Sequence, residues 1–275
     1  MTGGETPPTL PDDVPSSQHG RQLLELVRVM ARLRGPGGCP WDAEQTHESL
    51  ARHLLEETHE LLAAIDAGDG AAIRDELGDV LLQVVFHAQI AAGDGAWDVD
   101  DVAQGLVEKL VRRHPHVFGD VEVSGSDEVL LNWEQIKAEE KGAKRPGSAG
   151  GLEDDIPASL PALARASKVQ RRAAGFGFDW RTREAALAKL HEELSELEAA
   201  ATPEEAEAEL GDVLFAAAAV ARRLGVDPET ALRRTTTRFA ERYEAMQARA
   251  RDEGADLASM DDDELLAYFR ASRDS

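Results

Sequence analysis

The sequence predicts an all-α protein made of two tandem helical units. Three observations point there. Apolar residues recur at helical spacing along most of the chain, and no alternating pattern of strand length stands out. Only 5% of the 275 residues are aromatic against 42% hydrophobic, a balance that suits Ala/Leu helix packing. Each half also carries the same acidic hairpin signature. The first is Glu56-Glu57-x-x-Glu60, then 15 residues, then Glu76-Leu77-Gly78-Asp79-Val80-Leu81. The second is Glu192-Glu193-x-x-Glu196, then 12 residues, then Glu209-Leu210-Gly211-Asp212-Val213-Leu214. Such a repeat indicates duplication of one unit, and the length accommodates two small domains.

The elements follow in order. Leu23, Leu24, Val27, Met30 and Leu33 place a helix over Arg21–Arg34, closed by Gly35-Pro36-Gly37-Gly38. Trp41-Asp42 leads into a long helix reaching about Ala67. Gly68-Asp69-Gly70 turns the chain into a second helix over about Ala71–Ala91. Asp100 or Asp101 caps a third, through Val102, Leu106, Leu110 and Val111, which stops at Pro115. A short helix is expected over Asp127–Lys141. Lys144–Gly151, with Pro146 and three glycines, is the inter-domain linker.

Leu160–Ala174 opens the second unit, and Gly175-Phe176-Gly177-Phe178-Asp179-Trp180 interrupts it. The second hairpin turns at Ala201-Thr202-Pro203. There Thr202 is the N-cap, Pro203 takes the first helical position and Glu205 completes a capping box. Asp227-Pro228 starts the next helix, through Leu232, Phe239, Tyr243 and Met246, and a short helix ends near Phe269. The expected organisation is a disordered tail over 1–18, one unit over 19–142, a linker over 143–157 and a second unit over 158–275.

Composition excludes several classes of function. With 53 acidic against 30 basic residues the formal charge is −23, which repels nucleic-acid backbones. No run of 18 uncharged apolar residues is present to span a membrane. The N-terminus lacks the basic-then-apolar order of a secretion signal. A single cysteine, Cys39, rules out a disulfide scaffold and reads as packing beside Pro40 and Trp41; a cytoplasmic location follows.

The acidic spacing points to metal. Residues three apart share a helix face, so Glu57 pairs with Glu60 and Glu76 with Asp79. Counted from the turn, the two pairs average about 9.5 and about 9 residues away, so they sit level in an antiparallel hairpin. In the second half both averages are about 8 residues. Across axes about 8–10 Å apart, two carboxylates repel by roughly 3–4 kcal/mol at an effective dielectric near 20. Divalent cations remove that cost, and all-oxygen donors suit Mg²⁺, with Mn²⁺ as substitute. Gly78 and Gly211, each costing about 1 kcal/mol inside a helix, suggest close backbone approach beside the acids.

A single such pair would be ordinary solvated charge; its doubling with matched glycines argues otherwise. Glu56-x-x-His59 also has the spacing of a di-iron bundle ligand pair, but position 195, the equivalent of His59, is serine. His47, His53 and His59 read as exposed or hydrogen-bonded helix residues.

Taken with other segments, this acidic pattern resembles the MazG nucleoside triphosphate pyrophosphohydrolases of the all-α NTP pyrophosphatase superfamily. Gly37-Gly38-Cys39-Pro40-Trp41-Asp42, Gln45-Thr46, Arg113-His114-Pro115-His116-Val117-Phe118 and Asn132-Trp133-Glu134 look like the family's N-terminal half. Leu160-Pro161-Ala162-Leu163, Lys168-Val169-Gln170 and Gly177-Phe178-Asp179-Trp180 look like the start of its C-terminal half.

The resemblance implies Mg²⁺-dependent hydrolysis of (d)NTP to (d)NMP and pyrophosphate. It further implies a homodimer in which each MazG-like module contributes to an intertwined four-helix bundle. Its metal ligands would be Glu193, Glu196, Glu209 and Asp212, with Glu57, Glu60, Glu76 and Asp79 as the N-terminal equivalents. Lys189, Glu192, Arg238 and Arg242 would contact triphosphate or assist the attacking water, and Phe269 would lie near the nucleotide. Glu192, or Glu56 in the first half, would position that water or take its proton.

Departures are Glu205 and Arg238 where the family often has lysine, and Phe269 where it usually has tryptophan. Position 53 is His where the second half has Lys189, and His116 falls near the place of Arg242. The second half is therefore better equipped for triphosphate. The alternatives are a dUTP- or dCTP-preferring relative and a non-catalytic helical interaction protein.

Overall fold

Where each helix begins is decided by a polar cap, and those caps set the height of everything that follows. The computed structural model describes residues 20–125 and 156–272, together with 129, 132, 133, 136, 152 and 153. All regular structure among these is helical. The expected tail over 1–18 and the Lys144–Gly151 linker lie outside the described residues. So does most of the helix expected over 127–141, of which 129, 132, 133 and 136 are helical. The chain divides into two compact units, Met1–Gly142 and Ala143–Ser275.

In the first unit α1 spans Arg21–Arg34, α2 Pro40–Glu44, α3 His47–Ala67, α4 Gly70–Gly93, α5 Val99–Arg113 and α6 Pro115–Phe118. Helices α3 and α4 form the central hairpin, and α1 and α5 pack on α4. Met30, Leu50, Val85, Phe86 and Ile90 make the core, flanked by Leu26, Val27, Leu33, Leu82 and Val99. The turn after α1 admits only glycine at position 38, because a Cβ there would stand 2.1 Å from the Leu33 carbonyl oxygen.

The long helix expected from Trp41 is broken. Thr46 adopts an extended cap conformation, accepts from Ser49 N and receives the reciprocal bond from Ser49 Oγ, which restarts the helix at His47. Arg34 braces this break by donating to the carbonyls of Asp42 and Gln45 while lying over the Phe86 ring. Gly68, at φ 69°, ends α3, and Asp69 caps α4 by accepting from Ala71 N and Ala72 N. The cap of α5 is Asp98, not Asp100 or Asp101. Its side chain accepts from both of those amides, leaving their carboxylates in the first turn.

In the second unit α7 spans Ala162–Gly175, α8 Arg183–Ala199, α9 Pro203–Arg223, α10 Pro228–Glu253 and α11 Asp262–Ala271, with a 3₁₀ turn at Leu257–Ser259. Here α8 and α9 make the hairpin, α7 packs on α9 and α10, and α11 packs on α10. Its buried residues are small: Ala173, Ala186, Ala216, Ala218, Ala219 and Ala250, with Met246 the large one. Thr202 caps α9 as expected, through Glu205 N. The capping box is displaced, however, because the Glu205 carboxylate accepts from Ala201 N, one residue before the cap.

The Gly175–Trp180 segment is anchored by charge. Asp179 accepts from Arg222 and Arg223 at the end of α9, while Phe178 stays 71% exposed. Burial pushes the Asp179 carboxyl upward. The Arg222 hydrogen bond and the two guanidinium charges outweigh that and hold it below the usual carboxylate range. Its stabilisation is therefore present above the ordinary aspartate pKa and lost as pH falls through the depressed folded value. We expect Asp179→Asn to cost about 1–3 kcal/mol in urea denaturation at pH 7, and less in acid.

Candidate metal and phosphate site

Each hairpin brings three carboxylates together. In the first unit Glu57 of α3 meets Glu76 and Asp79 of α4; in the second, Glu193 of α8 meets Glu209 and Asp212 of α9. Within each trio one oxygen per residue lies within 4.8 Å of the others. Ligand oxygens on an octahedral ion with bonds near 2.1 Å are roughly 3–4 Å apart, so a small inward rotation closes the set. The donor chemistry fits a hard divalent cation. Glu76 Oε2, moreover, is buried with no hydrogen-bond partner, as an oxygen awaiting a cation would be.

The fourth acids stand apart. Glu60 and Glu196 fall outside the two trios. A residue three positions along a helix is rotated about 60° from its neighbour's direction, so level height does not bring it to the same point. Both still couple electrostatically to the trios. In the first unit burial raises Glu57, followed by the charges of Asp79, Glu60, Glu76 and Glu56. Burial likewise raises Glu76, followed by the charges of Glu60, Asp79 and Asp75.

The second unit is neutralised differently. Lys189 Nζ donates to Glu192 Oε1 at 2.6 Å and pairs with Glu193 Oε1 at 2.7 Å. The Lys189 bond holds Glu193 below the ordinary glutamate value, although the residue is only 6% exposed. Glu196 is raised, chiefly by its hydrogen bond with Glu193, then by burial and the charges of Glu193 and Glu209. It is thus the member that keeps a proton. In the first unit His53 occupies the place of Lys189. Its Nδ1 meets Glu56 Oε2 at 3.1 Å, and the exposed Trp41 ring stands edge-on to it, 6.2 Å between centroids.

The glycines beside the acids do not mark a close approach. A Cβ at Gly78 or Gly211 would meet nothing within 4 Å. Each therefore faces open space, and replacement by alanine should stabilise the folded chain by about 0.5–1 kcal/mol in chemical denaturation.

The remaining expected residues lie on α10 and α11. Arg238 Nη2 donates to Thr235 Oγ1 at 2.8 Å. The Arg242 guanidinium lies 4.4 Å over the Phe269 ring, which packs against Phe239 at 5.2 Å. No hydrogen bond or ion pair joins Arg238 or Arg242 to the carboxylate trio. One feature was invisible in the sequence. Tyr268 donates to Glu253, Arg249 donates to the same carboxylate and covers the Tyr268 ring, and together they tie α11 to α10. The i,i+4 spacing of Arg249 and Glu253 was available; the tyrosine, 15 residues from Glu253, was not.

Relief of like charge gives a stability prediction. A carboxyl with a raised folded pKa favours folding below its unfolded pKa, and that advantage is lost as pH rises through the folded value. In chelator-treated protein, Glu76→Gln should raise the melting temperature at pH 7–8. The gain should shrink in acid, where Glu76 itself is protonated.

Comparison with known proteins follows the same division of the chain. Residues 45–118 match the MazG nucleotide pyrophosphohydrolase domain, and residues 168–239 match the phosphoribosyl-ATP pyrophosphohydrolase domain. Each span contains one acidic trio. A nucleoside triphosphate pyrophosphohydrolase/pyrophosphatase MazG of Thermotoga maritima is 45% identical over 249 residues, covering 90% of this chain and 94% of the relative. A nucleoside triphosphate pyrophosphohydrolase of Escherichia coli K12 is 44% identical over 246 residues, covering 87% and 92%. One from Mycolicibacterium smegmatis is 47% identical over 165 residues, covering 59% and 49%.

Proposed function

The chain belongs to the MazG family of nucleoside triphosphate pyrophosphohydrolases, and we propose that it hydrolyses (d)NTP to (d)NMP and pyrophosphate with Mg²⁺. The observation that carries this reading is the gathering of three carboxylates, twice, on hairpins of the same design. Glu193, Glu209 and Asp212, with Glu196 beside them, would hold the cation; Glu57, Glu76, Asp79 and Glu60 are the first unit's set. Bound there, a divalent ion supplies Lewis-acid neutralisation of phosphate charge.

The protein groups do the rest. Glu192 gives one oxygen to Lys189 and has a side chain 57% exposed, which leaves its other oxygen free to orient a water and accept its proton. As the water oxygen bonds to the α-phosphorus, the bridge to the β-phosphate breaks and pyrophosphate leaves. Lys189, Arg238 and Arg242 would pair with the anionic phosphates, and Phe269 would lie against the nucleotide. Glu56 is the matching base in the first unit. The presence of Lys189 favours the second unit as the triphosphate site.

Assembly as a homodimer is part of the same proposal. Leu54, Leu55, Leu77, Leu81 and Val84 are exposed on the first hairpin, and Leu194, Leu210, Leu214 and Phe215 on the second. Such apolar faces call for a covering partner, and a second copy of each hairpin would complete a four-helix bundle. Among the described residues no helix is long and apolar enough to cross a membrane. We place the activity in the cytoplasm, on free nucleotides, consistent with a charge that disfavours nucleic acid.

Replacing Glu193 and Glu209 together by Gln should lower pyrophosphate release at least about a hundredfold, with the dimer retained on light scattering. Undiminished turnover after Glu57 and Glu76 are also replaced would overturn the assignment. Product analysis across the common ribo- and deoxynucleoside triphosphates would separate a broad enzyme from one preferring dUTP or dCTP.

A further inference from the structure

The two acidic trios are built alike but compensated differently. In the second unit a lysine already sits on the site: its Nζ lies 2.7 Å from Glu193 Oε1 and 2.6 Å from Glu192 Oε1. Lys189 precedes Glu193 by one helical turn, so the ammonium reaches the trio along the same face of α8. In the first unit the corresponding His53 turns to Glu56 and leaves Glu57 alone. Among the described residues no basic side chain forms an ion pair with Glu57, Glu60, Glu76 or Asp79. Glu76 Oε2 there is buried and unpaired.

We propose that Lys189 is an internal counter-cation that keeps bare divalent metal out of the second site, so that the first site binds metal alone while the second binds it together with triphosphate. The inference rests on the reading of both trios as metal sites. A divalent ion entering the second trio meets an ammonium bonded to one of its ligands, and like charges at that distance repel. Lys189 can leave Glu193 only if another anion receives it, and the β and γ phosphates of a nucleotide supply one. Metal and triphosphate then strengthen each other's binding at this site, each by the same factor. The first site, having no lysine to displace, lacks that coupling. The nucleotide thus becomes a condition for assembling the second site rather than a later arrival.

The test is equilibrium Mn²⁺ binding to the full chain, read by electron paramagnetic resonance of free Mn²⁺ without turnover. Wild-type protein should show a tighter class lost in Glu76→Gln and a weaker class lost in Glu209→Gln. Lys189→Met should tighten the weaker class at least tenfold and leave the tighter one unmoved, whereas Lys189→Arg should keep it weak. A nucleotide with a methylene in place of the α–β bridging oxygen should tighten the weaker class in wild type and far less in Lys189→Met. Unchanged Mn²⁺ affinity in Lys189→Met, with circular dichroism confirming the fold, would overturn the role of Lys189. Equal affinity of the two wild-type classes would also overturn it. Mn²⁺ binding indifferent to both Glu76→Gln and Glu209→Gln would instead sink the metal sites themselves.

Discussion

Carboxylates held against one another across a helix hairpin are the constraint on which both units are organised. Their positions are fixed at a distance by caps. Gly68 and Asp69 set where α3 stops and α4 starts, and Thr202 does the same for α9. From those points a rise of about 1.5 Å per residue carries Glu57 level with Asp79 and Glu60 level with Glu76. The electrostatics follow that register: after burial, the largest influence on Glu57 is Asp79, and on Glu76 it is Glu60. A turn one residue longer would shift every pair, so the polar caps belong to the site as much as the acids do.

The hairpins were legible because their signals are redundant: heptad-like apolar spacing, glycine or proline turns and the doubled acids all agree. Arg21–Arg34 matches to the residue for the same reason. The misreadings share a physical origin in competition among neighbouring polar groups. Of three aspartates close together, Asp98 caps α5 because it takes the extended conformation and receives two amides, a choice the residue types do not reveal. Glu205 slips to Ala201 N because its side chain is long enough to reach one amide further back. The average height of the acids was readable from spacing, but rotation about the helix axis was not, so Glu60 and Glu196 were placed in quartets where the structure makes trios. Gly78 and Gly211 were read as contacts with the chain's own backbone, and they face open space instead.

Duplication kept the scaffold and changed what surrounds the acids. Thr46 and Thr182 cap corresponding helices, and Leu50 and Ala186 occupy corresponding buried positions. The first unit fills its interior with Met30, Leu50, Val85 and Phe86, the second largely with alanine. Small side chains let helices approach closely but bury little apolar area, at roughly 25 cal/mol per Å². The second unit therefore leans more on polar ties: Gln170 to the Phe215 carbonyl, Asp179 to Arg222 and Arg223, and Tyr268 with Arg249 to Glu253. Such ties are directional. They fix α7, α9, α10 and α11 relative to one another with less help from shape, and they hold Arg242 and Phe269 on the same face.

A hairpin that gathers like charge on one part of its surface has a reason to expose leucines on another. Mutual repulsion of the acids pushes α3 from α4 and α8 from α9, and the internal packing of two helices alone resists it weakly. Leu77 adjoins Glu76, and Leu210 adjoins Glu209; each is about half exposed. Covering these residues with a second hairpin would add apolar burial where the repulsion acts, while Gly78 and Gly211 leave room at the same level. Cation and partner then oppose the same force from two sides. Positive charge lowers the repulsion within the trio, and apolar contact raises the cost of splaying. A hairpin given only one of them would hold its carboxylates less firmly in the geometry that phosphate chemistry requires.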